Sequence, residues 1–256
     1  LDLGINKRRA LVCGASRGLG RAIALGLAAE GAEVVAVARG RERLEALTAA
    51  PHGRGSVLPR VCDLRDGAAI ESLRDVLNGT DILVLNTGGP PPGPVSEVSD
   101  AAWAQQFESM FLSVVRLTRL ALPGMRERRF GRILIVVSSG VLSPIANLGM
   151  SNALRMAVVG WAKTLSSEVA AEGVTVNCLA PGRIATDRVA ELDAGAAGRQ
   201  GVSIEQVEKQ SRATIPTGRY GDPTEFAAAA TFLASDAAAY MTGGVIRIDG
   251  GMIRNV

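Results

Sequence analysis

Seven short apolar runs alternating with longer amphipathic stretches predict an α/β protein, a single doubly wound parallel sheet with helices on both faces. The runs are Ala10–Cys13, Val34–Ala38, Val57–Cys62, Ile82–Leu85, Ile133–Val137, Val174–Leu179 and Val245–Ile248. Each has the length of a strand buried on both sides, as parallel sheets require. The stretches between them include Gly20–Glu30, Ala101–Arg126, Asn152–Ala171 and Pro223–Ser235, which carry helical period. Right-handed crossovers then lay these helices on both faces of the sheet.

Composition narrows the classes of function. The chain has 256 residues, 47% of them hydrophobic but only 4% aromatic, so the core is built from Leu, Val, Ile and Ala. The net charge of +3 comes with no basic run longer than Lys7-Arg8-Arg9, which argues against nucleic acid as a partner. Cys13, Cys62 and Cys178 are far apart in apolar runs, the pattern of reduced, buried thiols in a cytoplasmic protein. His52 is the only histidine, so no metal site is expected. No apolar run approaches the roughly 18 residues of a membrane span. No linker divides residues 1–256, which read as one domain with a substrate lid around 184–213. The Ala/Gly/Gln-rich stretch Ala194–Ser203 is expected to be its most flexible part.

The segment Leu11-Val12-Cys13-Gly14-Ala15-Ser16-Arg17-Gly18-Leu19-Gly20 passes from a strand straight into a helix. Its glycines permit a tight turn and close backbone approach, while the helix N-terminus offers unpaired N–H groups and a positive dipole end. A dinucleotide pyrophosphate needs this environment. The segment therefore predicts a Rossmann-type fold that holds a cofactor through Gly14, Ser16, Arg17, Gly18, Leu19 and Gly20.

With this Gly-x-x-x-Gly-x-Gly spacing the chain resembles the short-chain dehydrogenases/reductases, the bacterial 3-oxoacyl-carrier-protein reductase group in particular. The resemblance runs along essentially the whole chain. Cys62-Asp63-Leu64 is similar to the family's acidic adenine contact, and Leu85-Asn86-Thr87-Gly88 to its Asn-Asn-Ala-Gly strand end. Pro181-Gly182-Arg183-Ile184-Ala185-Thr186 is similar to the segment that holds the nicotinamide. Thr242-Gly243-Gly244 with Asp249-Gly250-Gly251 resembles the C-terminal signature. The resemblance thus implies cofactor contacts at Asp63, Leu64, Asn86, Gly88, Pro181, Gly182, Ile184 and Thr186.

The second strand ends in Ala38-Arg39, where an NAD-binding domain carries an acid for the ribose 2′-hydroxyl. A guanidinium there pairs with a 2′-phosphate instead, and Arg17 adds a second cation. The expected cofactor is NADP(H); the plain alternative is that both arginines are solvated surface charges.

The family's chemistry, as the resemblance implies it, uses a serine, a tyrosine, a lysine four residues after the tyrosine, and an asparagine on the preceding long helix. Gly131-Arg132-Ile133 and Met156-Ala157-Val158-Val159-Gly160 fix the register. Arg155 then stands at the lysine position, Ser151 at the tyrosine and Met110 at the asparagine. Ser138 matches the serine, with Ser139 as the alternative. Arg155 keeps the positive charge but not the acidity of a lysine, and Ser151 is a weak proton donor. Tyr220 and Tyr240, the only tyrosines, lie elsewhere in the chain; Tyr220 reaches the pocket only if its loop moves.

Two functions are compatible with this pattern. One is an NADP(H)-dependent oxidoreductase that moves a hydride to or from a small carbonyl or alcohol substrate, with Ser138, Ser151 and Arg155 as a divergent site. The other is a catalytically impaired NADP(H)-binding protein that acts as sensor, scaffold or partner subunit. The loops Gly88–Pro94 and Gly140–Gly149 and the segment Ile184–Arg212 suggest an apolar or neutral substrate. The family resemblance and the apolar circumference of the two longest helices imply a homotetramer.

Overall fold

The computed structural model describes residues 2–254. Its strands are β1 (Arg9–Cys13), β2 (Glu33–Ala38), β3 (Ser56–Val61), β4 (Ile82–Leu85), β5 (Gly131–Val136), β6 (Val174–Pro181) and β7 (Val245–Ile248). Its α-helices are α1 (Gly18–Ala29), α2 (Arg41–Thr48), α3 (Gly67–Glu71), α4 (Arg74–Asn78), α5 (Asp100–Phe107), α6 (Ser113–Glu127), α7 (Gly149–Val169), α8 (Asp187–Gln200), α9 (Ile204–Ala213) and α10 (Pro223–Leu233). The strands form one sheet in the order β3-β2-β1-β4-β5-β6-β7, and every pairing is parallel. The expected doubly wound Rossmann-type sheet is therefore present.

Side-chain alternation along the strands divides the core in two. On β1, Ala10 and Val12 join Ile23, Leu27, Leu44 and Phe226 from α1, α2 and α10 on one face. Leu11 and Cys13 join Leu77, Leu117 and Val158 from α4, α6 and α7 on the other. β3 lies at an edge, so it tolerates Pro59 and leaves Leu58 and Val61 in solvent. All three cysteines are buried and free. Burial raises the pKa of each thiol, that of Cys178 to about 12.

Two local expectations are corrected. The helix expected over Ala101–Arg126 is broken by a π-helical segment at Glu108–Leu112. This wide turn carries Met110 inward, where it packs on Met150 and Leu154. The stretch Ala194–Ser203, expected to be flexible, is helical up to Gln200 and stops at Gly201 in the left-handed region (φ 66°). Asp193 and Ala197 are the buried contacts that hold this Ala/Gly-rich helix in place.

In such a sheet the binding crevice lies beyond the carboxyl ends of the strands, where the strand order reverses. Here that point is between β1 and β4. The glycine turn follows β1, and the Gly88–Pro94 loop follows β4.

Candidate active site

The glycine turn is shaped by what presses on it. A side-chain carbon on Gly14 would lie 2.6 Å from the Asn86 carbonyl oxygen, and one on Gly20 would lie 2.3 Å from the Gly14 oxygen. Gly14 also has a φ of 62°. Only glycine suits both places. Asn86 therefore braces the turn from the end of β4. Helix α1 begins after Arg17 with no side-chain cap and no acid in its first turn. Its first N–H groups thus lack helical partners and face a cradle without side chains, which fits a pyrophosphate. Leu19 anchors the turn to the core and Ser16 is partly exposed beside it.

The two cations expected at a 2′-phosphate behave differently. Arg39 is exposed at the end of β2 and makes no ion pair among the described residues. Arg17 instead crosses to the lid, 3.3 Å from Asp187 and 3.1 Å from Glu191 on α8. Acids in the first turns of α8 are favoured by its dipole, and they occupy the guanidinium expected to await a phosphate. Asp63 pairs with Arg65 at 2.6 Å, which holds its carboxyl below the usual range; Leu64 packs against the core beside it.

The Pro181–Thr186 segment leaves β6 across the mouth of the crevice. Gly182 donates its N–H to the Ile248 carbonyl at 2.9 Å. Ile184 is buried and bridges to Gly221. Thr186 caps α8, and its side chain lies over Gly18. Helix α8 therefore starts beside the glycine turn.

The presumed reactive residues gather at the ends of β4 and β5. Ser138 follows β5 in extended backbone, and its Oγ accepts the Gly140 N–H at 3.0 Å. It is partly exposed, whereas Ser139 is buried and starts a short 3-10 turn. The hydroxyl available to a ligand is thus that of Ser138. Asn152 packs against Gly140 and donates to the Ile145 carbonyl at 2.9 Å, which fixes the loop carrying the serine.

Ser151 and Arg155 lie one turn apart on α7. Arg155 Nε donates to Ser151 Oγ at 3.3 Å, Nη1 to the Val136 carbonyl at 2.7 Å and Nη2 to the Gly88 carbonyl at 3.2 Å. One guanidinium so ties α7 to the carboxyl ends of β4 and β5. Burial, and then the like charge of Arg188, pull its pKa down to about 10. Arg155 remains a cation at neutral pH and exchanges no proton there.

Tyr220 does not supply the absent phenol. Its hydroxyl donates to Asp193 at 2.8 Å. Asp193 is fully buried and also pairs with Arg183. Burial and the bond to Asp193 raise the tyrosine's pKa, so it is a fixed strut of the lid. Tyr240 is fully exposed. Arg188 and Asp193 on α8 gave no sequence signal, because an isolated charge in a helical stretch has no meaning until its neighbours are known.

A family model described as Enoyl-(Acyl carrier protein) reductase matches residues 14–253. The chain belongs to this family of short-chain dehydrogenases/reductases. It is 36% identical over 247 residues to the 3-oxoacyl-(acyl-carrier-protein) reductase FabG of Vibrio cholerae, covering 95% of this chain and 96% of the relative. It is 37% identical over 251 residues to the FabG of Escherichia coli, with 95% and 96% covered. The solved L-sorbose reductase of Gluconobacter frateurii, complexed with NADPH and L-sorbose, superposes with a TM-score of 0.93 at 30% identity and full coverage of both chains. Such relatives make this chain an oxidoreductase by family. Among the described residues no His/Cys/Asp/Glu cluster is able to hold a metal, and no helix is long and apolar enough to cross a membrane.

Proposed function

We propose that the protein is an NADP(H)-dependent oxidoreductase of a single domain, acting on a small carbonyl or alcohol substrate in the cytoplasm. The observation that carries this reading is the meeting of a braced glycine cradle with Ser138 and Arg155 at one carboxyl edge of the sheet. The exposed Arg39 after Ala38 favours the phosphorylated cofactor. In this reading Gly14, Ser16, Gly18, Leu19 and Gly20 hold the pyrophosphate. Asp63, Leu64, Asn86 and Gly88 line the adenosine side, and Pro181, Gly182, Ile184 and Thr186 the nicotinamide side. When bound, the cofactor supplies or accepts the hydride.

The chain's own residues orient and polarise. Ser138 Oγ accepts from Gly140, which leaves its O–H to donate to a substrate oxygen. Arg155 fixes the ends of two strands and carries the positive charge of the family's lysine. Ser151 is bound to Arg155 and is a weak acid, so water or a group on the substrate exchanges the proton. Loss of a general acid costs roughly 10²–10⁴-fold, which slows hydride transfer without abolishing it. Positioning and electrostatic polarisation supply the remainder.

Met110, packed among Met150 and Leu154, favours the second reading, a cofactor-binding protein without turnover. Single-turnover oxidation of NADPH with a panel of carbonyl compounds separates the two. The proposal expects transfer in the wild type and a loss of at least tenfold in Ser138→Ala. NADPH binding without any transfer would favour the second reading.

A further inference from the structure

Arg17 is placed between two sources of negative charge, one in the protein and one expected on the cofactor. β1 and β2 are adjacent and parallel, with Cys13 opposite Val37. Just beyond them the Ala15 N–H donates to the Val37 carbonyl at 3.1 Å. The turn that carries Arg17 therefore leaves the sheet beside Ala38 and Arg39, where the proposed reading puts a 2′-phosphate. On the other side lies α8. Thr186, which caps that helix, would be 3.6 Å from a side-chain carbon on Gly18, the residue after Arg17.

The guanidinium is taken by α8. Arg17 Nη1 donates to Asp187 Oδ2 at 3.3 Å and to Glu191 Oε1 at 3.1 Å. These acids are one helical turn apart on α8, a spacing at which like charges repel. Asp187 has no other ion pair among the described residues, and Glu191 also meets Arg188 at 3.6 Å. Arg17 thus offsets a repulsion within α8. Its side chain is 47% exposed, and those of the two acids are 65% and 50% exposed. Ion pairs this open to water are weak and readily exchanged. A phosphate ester carries a charge of roughly −1.5 to −2 near neutrality and attracts a guanidinium more strongly than one carboxylate does.

We infer that Asp187 and Glu191 set the preference between NADP(H) and NAD(H) by competing with the 2′-phosphate for Arg17. The inference rests on the proposed NADP(H) reading. Both acids are positioning residues, since they act through the arginine. Held against α8, Arg17 leaves the phosphate to Arg39. Released, it adds a second charge-assisted pair. NAD(H) has no group that draws Arg17 toward Arg39, so its binding is indifferent to the two acids.

The test is fluorescence titration of NADPH and NADH, at fixed low ionic strength, against the wild type, Asp187→Asn/Glu191→Gln, Arg17→Ala and the triple variant that combines them. Both acids are exposed and the Thr186 cap is kept, so α8 is retained. The variant without the acids should bind NADPH roughly three- to tenfold tighter than the wild type, from the loss of two exposed pairs. NADH affinity should stay within about twofold. With Arg17→Ala already present, removing the acids should leave NADPH affinity nearly unchanged, because the acids then withhold nothing. Unchanged or weaker NADPH binding without the acids would overturn the inference, as would an equal gain for NADH. So would the same NADPH gain in the absence of Arg17, because the acids would then act by repelling the cofactor directly. A wild type and an acid-free variant that both bind NADPH no tighter than NADH would bring down the NADP(H) reading itself, and this inference with it.

Discussion

On the proposed reading, a guanidinium at position 155 stands where the family's pattern has an ammonium, and the difference is chemical as well as steric. By the resemblance a lysine at this place tunes a neighbouring tyrosine, whereas the hydroxyl beside Arg155 is that of Ser151. No group of the site, so constituted, titrates near neutrality. Arg155 is protonated below its lowered pKa of about 10 and loses its charge as the pH rises through it. Its folded pKa lies below the unfolded value, so burial of the charge opposes folding at neutral pH, and this opposition fades above about pH 10. Single-turnover rates should therefore be level from about pH 7 to about pH 9 and fall near pH 10. A rate controlled by an ionisation near neutrality would contradict the assignment. Arg39→Ala should weaken NADPH by about 1.5–3 kcal/mol and leave NADH nearly unchanged, as read by fluorescence titration.

Helix α8 shows how an element with weak propensity is held by one buried charge. Asp193 receives Arg183 and the Tyr220 hydroxyl, so it joins α8 to the strand β6 exit and to the loop after α9. Arg183 is 31% exposed, which screens the pair. Asp193→Ala should cost about 2–3 kcal/mol, locally, because it strands an arginine and a phenol. Limited trypsin digestion should then cut within 187–213 while the sheet resists. Cleavage no faster than in the wild type would show that the lid does not depend on Asp193. These elements also show what the sequence disclosed. β4 and β7 were legible to the residue, since each is a short apolar run between breakers. The stretch Ala194–Ser203, which holds the second half of α8, was read as flexible because its Ala and Gly residues carry no apolar stripe. The π-helical segment left no mark, because its cause is the packing of Met110 against another helix. At the site, the glycine turn was read from its spacing, and the candidates Ser138, Ser151 and Arg155 from the family resemblance. Arg188 was not, since its contact with the Pro90 carbonyl forms only once α8 lies against the loop after β4.

Apolar side chains are left in solvent at several places among the described residues, two regions on α5/α7 and beside β7 among them. Phe107 on α5 and Met156 on α7 are 40% and 48% exposed. Tyr240 and Met241, next to β7, are 103% and 39% exposed. Two such regions suit two isologous contacts, and two isologous contacts generate a tetramer with three perpendicular twofold axes. Sedimentation equilibrium should give four times the chain mass of 26.5 kDa. Met156→Lys should reduce it to a dimer. A monomeric wild type at micromolar concentration would contradict the assembly.

On the proposed reading, cofactor binding and substrate polarisation rest on different residues of one crevice, Arg155 for the first and Ser138 for the second. Fluorescence titration of NADPH and NADH against the wild type, Arg155→Ala and Ser138→Ala tests it most directly. The account predicts tighter NADPH than NADH in the wild type, weakened NADPH in Arg155→Ala, and wild-type NADPH affinity in Ser138→Ala. Equal affinity of the wild type for the two cofactors, or a loss of NADPH affinity in Ser138→Ala with none in Arg155→Ala, would contradict it.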